Sequence, residues 1–172
     1  VVFLFAEILT EQGHEGFGFS YSKRAGGPAQ YAHAKEVAQT MIGEDPNDIA
    51  KLYTKLLWAG ASVGRSGVAT QALAALDIAL YDLKSKRAGL PLAKFLGSHR
   101  DSVRTYNTSG GFLNASIEEV KDRATQSIEE GIGGIKIKVG LPNNSEDLRR
   151  VAAVREHIGP DVPLMVDANQ QW

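Results

Sequence analysis

The chain has 172 residues, 43% of them hydrophobic and 23% charged, with a formal net charge of −1, which is ordinary for a soluble globular protein and shows no surface built for nucleic acid or for an anionic membrane. The absence of cysteine excludes disulfides and thiolate metal sites. No apolar run is long enough to cross a bilayer, and Val1-Val2-Phe3-Leu4-Phe5 has neither a basic flank nor a cleavage-like site after it, so a cytoplasmic protein is expected.

Val1 to Thr10 predicts a strand, Glu11-Gln12-Gly13 a turn, and His14 to Tyr21 a second strand. Phe17, Phe19 and Tyr21 fall on one face of that strand and Gly16 and Gly18 on the other, the pattern of an antiparallel hairpin. The polar loop Ser22 to Pro28 carries two adjacent cations, Lys23 and Arg24, ahead of two glycines. Its residues alone describe a solvated surface loop; a flap that grips an anion is the alternative. Helices are expected over Tyr31 to Ile42 and Asn47 to Ala59, the second capped by Asp45 with Pro46 near its first turn. After Gly64 to Gly67 a long helix runs to about Arg87, with Leu73, Leu76, Leu80 and Leu83 in one apolar stripe. Gly89 ends it, and Leu90-Pro91-Leu92 leads into a short helical turn closing at Gly97.

From Ser102 the pattern changes to strands alternating with helices. Val103 to Asn107 predicts a strand and Thr108 to Gly111 a loop. Ser116 and Glu119 form a capping box for a helix that stops at Gly131. Gly134 to Gly140 alternates apolar and basic residues with the period of a strand. Ser145 caps another helix, with Glu146 and Asp147 in its first turn where the dipole favours anions. Val162 to Ala168 predicts the last strand. The repeat of roughly 30 residues is that of a βαβ unit. The expected fold class is α/β, with one domain over 1–98 and a second, carrying three strands, over 99–172. The chain opens inside a strand without methionine and stops just past another, so a fragment of a longer protein is expected.

The stretch from Gly134 to Gly140 carries the chemistry. Ile135, Ile137 and Val139 take one face, and Lys136 and Lys138 the other. In a parallel sheet covered on both faces, two ammonium groups point into protein, where burial and mutual repulsion disfavour the charged form and prepare a base. The plain alternative is an edge strand whose lysines deter aggregation. The last strand favours the first reading. It ends on Asp167-Ala168-Asn169, and neighbouring strands lie about 4.8 Å apart, which sets a carboxylate beside the lysine pair. His14, His33, His99 and His157 form no ligand spacing. Gly131 to Gly134 precedes a strand instead of following one, the wrong order for a dinucleotide loop.

Three motifs in order resemble the mandelate racemase/muconate lactonizing enzyme branch of the enolase superfamily. They are Ala75 to Leu83 continuing through Gly89-Leu90-Pro91 to Gly97, Lys136-Ile137-Lys138, and Val166-Asp167-Ala168-Asn169. Within the branch, Phe19 to Gly27, Tyr106 to Phe112 and Asp167 to Trp172 are similar to the L-talarate/galactarate dehydratases as a group. The resemblance implies an α+β capping domain followed by the first part of a modified TIM-type (β/α) barrel, with the site at the C-terminal ends of the strands. It implies Mg²⁺ as cofactor, Asp167 as first metal ligand, Lys138 as the base that removes a proton α to a carboxylate, and Lys136 as its partner on the substrate carboxylate. Asn169 would bind substrate as well. Lys23 and Arg24 would hold the far carboxylate of a six-carbon sugar diacid, and a homo-oligomer is expected. A racemase, epimerase or other acid-sugar dehydratase would use the same Lys138 and Asp167. A non-catalytic α/β binding or scaffold domain is the reading from another class.

Overall fold

The computed structural model describes residues 1–171, which fall into two units, Val1–His99 and a second from Arg100 onward. In the first unit, strands β1 (Val2–Leu9) and β2 (Glu15–Ser22) pair antiparallel, with Phe5 opposite Phe19. The alternation along β2 sorts its side chains by size. Gly16, Gly18, Ser20 and Ser22 turn inward, and Phe17, Phe19 and Tyr21 turn outward beside Phe3 and Phe5 of β1, five rings with centroids 5.5–6.4 Å from their neighbours.

The inward residues are small because a helix backbone lies against them. α3 (Val68–Arg87) presents Ala72, Ala75 and Ala79, all fully buried. A Cβ added at Gly16 would stand 2.1 Å from the carbonyl oxygen of Ala79, and one at Gly18 2.1 Å from that of Ala75. Glycine is needed there for close approach. Further along, Ser20 and Ser22 satisfy the buried Gln30 of α1 (Gly27–Ala38): Ser22 Oγ donates to its Oε1 at 2.9 Å, and its Nε2 donates to Ser20 Oγ. The expected leucine stripe of α3 forms the core. Leu73 and Leu76 pack with Val37 and Leu56, and Leu80 with Ile49 and Leu52 of α2 (Ile49–Ala59). The short α4 (Leu92–Phe95) follows.

Two starts differ from expectation. α1 begins at Gly27, before Tyr31, because Pro28 suits a first turn and Gly26 takes the left-handed conformation that leads into it. Asp45 does not cap α2. Its Oδ1 accepts from the backbone and side-chain nitrogens of Asn47, each at 2.8 Å, so it closes a turn one step earlier.

In the second unit, the capping box forms as expected. Ser116 Oγ accepts from the Glu119 N–H, and Glu119 accepts from the Ser116 N–H, opening α5 (Ile117–Glu129). β3 (Ile135–Lys138), α6 (Asn144–Ile158) and β4 (Leu164–Asp167) make a βαβ unit with parallel strands. Ile135 and Ile137 are buried with Val120 and Ala124 of α5 and Val154 and Ile158 of α6. The cap of α6 is Asn143, whose side chain accepts from Ser145 N–H, rather than Ser145 itself.

The stretch Val103 to Asn107 does not form the expected strand. Only Asn107 bridges to β3: its N–H donates to Gly134 O and its carbonyl accepts from Lys136 N–H, both at 2.8 Å. Two causes are visible. Asn107 Oδ1 accepts from Ser109 N–H at 2.8 Å, which turns the chain out of the ladder, and the next bond to β3 resumes only at the Gly111 carbonyl. On the near side, Val103 is 70% exposed and has no apolar face to hold it extended.

Candidate active site at the ends of the parallel strands

Register places the site. Lys138 lies opposite Asp167 and Lys136 opposite Met165. Because Ile135 and Ile137 take the helix side, both lysines project from the other face, and both are largely shielded, with 23% and 18% of their side chains exposed. Lys138 Nζ donates to Asp167 Oδ2 at 2.7 Å and to Asn169 Oδ1 at 2.9 Å. Lys136 Nζ lies 3.6 Å from the same Oδ2 and 5.2 Å from the centre of the Tyr106 ring. Asp167 Oδ1 accepts from the Asn169 N–H at 2.9 Å. The structure thus brings Lys136, Lys138, Asp167 and Asn169 into one cluster. Lys23 and Arg24 belong to the first unit, exposed in the bend between β2 and α1. Trp172, at the end of the Asp167 motif, lies outside the described residues.

The electrostatics follow from the count of charges. The hydrogen bond from Lys138, then the Asn169 N–H, and the charges of Lys138 and Lys136 hold the Asp167 carboxyl down to about 2, against an ordinary 3.8. Two ammonium groups around one carboxylate leave an excess of positive charge on this face, suited to an incoming carboxylate. Asn169 and Gln170 both have positive φ, 48° and 65°, just past β4. That sharp turn folds the Asn169 amide back over Lys138.

Two further residues shape the site and were not picked out by the pattern of motifs. Asp147 and Arg150 of α6 are buried, at 5% and 4% exposure. Asp147 Oδ2 accepts from the N–H groups of Gly140 and Leu141, at 2.9 and 3.0 Å, which fixes the exit from β3. Arg150 donates to the carbonyls of Ala115, at 2.7 Å, and of Phe112, fixing the approach to α5. Burial pushes the Arg150 guanidinium down from its ordinary value. Their spacing held the signal. Asp147, Arg150, Val154 and Ile158 form one helical stripe, so two charges stand at the head of a buried face.

A hard divalent ion fits this donor set as a partial one. Asp167 offers a carboxylate oxygen, but among the described residues no three His, Cys, Asp or Glu side chains converge. Mg²⁺ is commonly held by one or two carboxylates with water and substrate oxygens, and Asp167 suits one such position.

Residues 1–97 match the family model of the mandelate racemase/muconate lactonizing enzyme N-terminal domain, and residues 119–172 that of the enolase C-terminal domain-like family. The chain is 66% identical, over all its length, to the L-talarate/galactarate dehydratase of Salmonella typhimurium, and covers 43% of that protein. A crystal structure of the Salmonella enzyme with Mg and L-lyxarohydroxamate superposes with a TM-score of 0.96, covering 99% of this chain and 44% of that one. The L-talarate dehydratase of Polaromonas sp. JS666, solved with Mg and L-glucarate, is 68% identical with a TM-score of 0.94, covering 99% and 48%. The chain therefore spans less than half the length of these relatives. It comprises the N-terminal capping domain and the start of the enolase-type barrel. With its first model matching more than half of its residues, the chain belongs to the mandelate racemase/muconate lactonizing enzyme family of the enolase superfamily.

Proposed function

We propose that the whole protein is a metal-dependent acid-sugar dehydratase acting on galactarate or L-talarate. The observation that carries the reading is the cluster of Lys136, Lys138, Asp167 and Asn169 on one strand-end face, in a chain 66% identical to a dehydratase of that specificity. The reaction removes a proton from the carbon next to a carboxylate, and the neighbouring hydroxyl then leaves as water, protonated by a general acid from the part of the protein beyond this chain, giving an enol that becomes the keto-deoxy acid. Lys138, freed of its proton, takes the α-hydrogen. Lys136 holds the carboxylate onto which the negative charge of the enolate develops. Asn169 donates its amide to a substrate hydroxyl, and Lys23 with Arg24 holds the distal carboxylate. When bound at Asp167, Mg²⁺ supplies the Lewis-acid charge that makes the α-proton removable.

Lys138 and a divalent ion would share the Asp167 carboxylate, so a bound ion would weaken the Lys138–Asp167 ion pair. In the full-length protein, Lys138→Ala should abolish exchange of the α-hydrogen of galactarate with solvent deuterium, read by NMR, while Mg²⁺-dependent binding of the diacid persists. Exchange at the wild-type rate would move the base elsewhere. Failure of the unaltered full-length protein to dehydrate either diacid, against a panel of aldarates and monoacids, would overturn the substrate class. An epimer of the starting acid as sole product would identify an epimerase of the racemase/epimerase class instead.

A further inference from the structure

The two lysines of β3 are not equivalent, and the difference comes from a residue outside the strand. Lys138 has two direct acceptors, Asp167 Oδ2 at 2.7 Å and Asn169 Oδ1 at 2.9 Å. Lys136 reaches the same carboxylate only at 3.6 Å. Its other support is the face of Tyr106, with Nζ 5.2 Å from the ring centre, inside the range in which a ring quadrupole attracts a cation.

The backbone explains why a ring stands there. Asn107 is bridged to Ile135, and its side chain points to the helix layer, where Nδ2 donates to the buried Ser127 of α5 at 2.6 Å. Side chains alternate along an extended segment, so Tyr106 is sent to the opposite face, the face of Lys136. The bonds from Asn107 to Gly134 and from Lys136 to Asn107 fix that segment against β3 at the level of Lys136. The tyrosine is therefore placed by its neighbour's hydrogen bonds, and the residue is 47% exposed.

We infer that Tyr106 is a positioning residue for substrate binding: its ring supports the Lys136 ammonium at the edge of the Lys138–Asp167–Asn169 set, ready for the substrate carboxylate. The inference rests on the proposed role of Lys136. A ring face suits this task better than a second carboxylate. It attracts the cation without neutralising it, so the full charge stays available to the incoming anion. A carboxylate in its place would compete with substrate.

The test uses the full-length protein loaded with Mg²⁺ and reads the dissociation constant of tartronate by calorimetry. Tartronate is an α-hydroxy diacid with no β-hydroxyl to lose, so binding is separated from turnover. Tyr106→Leu should weaken tartronate about two- to thirtyfold, the range of one cation–ring contact. Tyr106→Phe, which keeps the ring, should stay within about twofold. In a Lys136→Met background, Tyr106→Leu should have no further effect. A Phe variant as weak as the Leu variant, or a Leu effect that persists without Lys136, would overturn the inference. If Lys136→Met itself left tartronate binding unchanged, the assigned role of Lys136 would fall. If it weakened binding while Tyr106→Leu did not, only the role of Tyr106 would.

Discussion

Asp167 illustrates how much depends on single atoms. Its two oxygens have separate duties: Oδ1 fixes the Asn169 backbone, and Oδ2 faces both lysines. The carboxylate was legible as a partner of Lys138 because side-chain period and strand spacing are nearly invariant in sheets. The reach of Asn169 back to Lys138 was not, since it depends on positive φ at Asn169 and Gln170, which no periodicity encodes. The role of Lys23 and Arg24 is testable at the same scale. If their charges bind the distal carboxylate, Arg24→Ala in the full-length protein should raise KM for galactarate about tenfold or more, since a hydrogen bond between charged groups contributes roughly 1.5–3 kcal/mol. KM for a monoacid of the same length should hardly move. Equal changes for both acids would return the pair to an ordinary surface loop.

At the scale of elements, helix starts were the less legible part. The capping box at Ser116 was readable because two residue types at fixed spacing satisfy two backbone donors reciprocally. Ser116→Ala should cost about 1 kcal/mol in urea unfolding, and an unchanged midpoint would show the box to be idle. Asn143 against Ser145 was beyond pattern, because each is a plausible cap and backbone geometry chooses between them, while at α2 neither Asp45 nor the N-terminal residue Asp48 caps the helix with its side chain. The entry to α2 carries a charge clamp instead. Glu44 accepts from Lys55 at 2.5 Å and from Lys51 at 3.0 Å, and the Lys55 hydrogen bond, then that of Lys51, holds its carboxyl at about 2 instead of 4.5. A carboxyl lowered on folding stabilises the folded state above its unfolded value. That contribution is complete above about pH 4.5 and is lost as pH falls through about 2. A carbon-13 titration should place the Glu44 midpoint near 2, and Lys55→Met should raise it more than Lys51→Met. A wild-type midpoint near 4.5 would dissolve the clamp.

At the scale of the molecule, each unit has its own apolar core. Leu80, Ile49 and Leu52 cluster in the first, and Ile135, Ile137, Val154 and Ile158 in the second. This division was legible as a change of rhythm, from hairpin and helices to strands and helices in turn. The loss of a strand at Val103 was not, because an extended run needs successive backbone partners to become a ladder, and only Asn107 of this stretch is bridged. Leu80→Ala should cost about 2–5 kcal/mol as a cavity in the first core. Amide exchange should then accelerate in β1, α2 and α3. If it accelerated equally at Ile137 and Val139, the cores would not be separate cooperative units.

The fit of β2 against α3 also has a genetic consequence. Every amino acid other than glycine carries a Cβ, and at positions 16 and 18 that atom falls 2.1 Å from a helix carbonyl oxygen. No missense change in either codon is then permissive, whatever its chemistry, whereas the outward phenylalanines one residue away tolerate exchange among large apolar residues. A saturation library of the hairpin should show two positions where only synonymous codons survive, set between positions that drift freely.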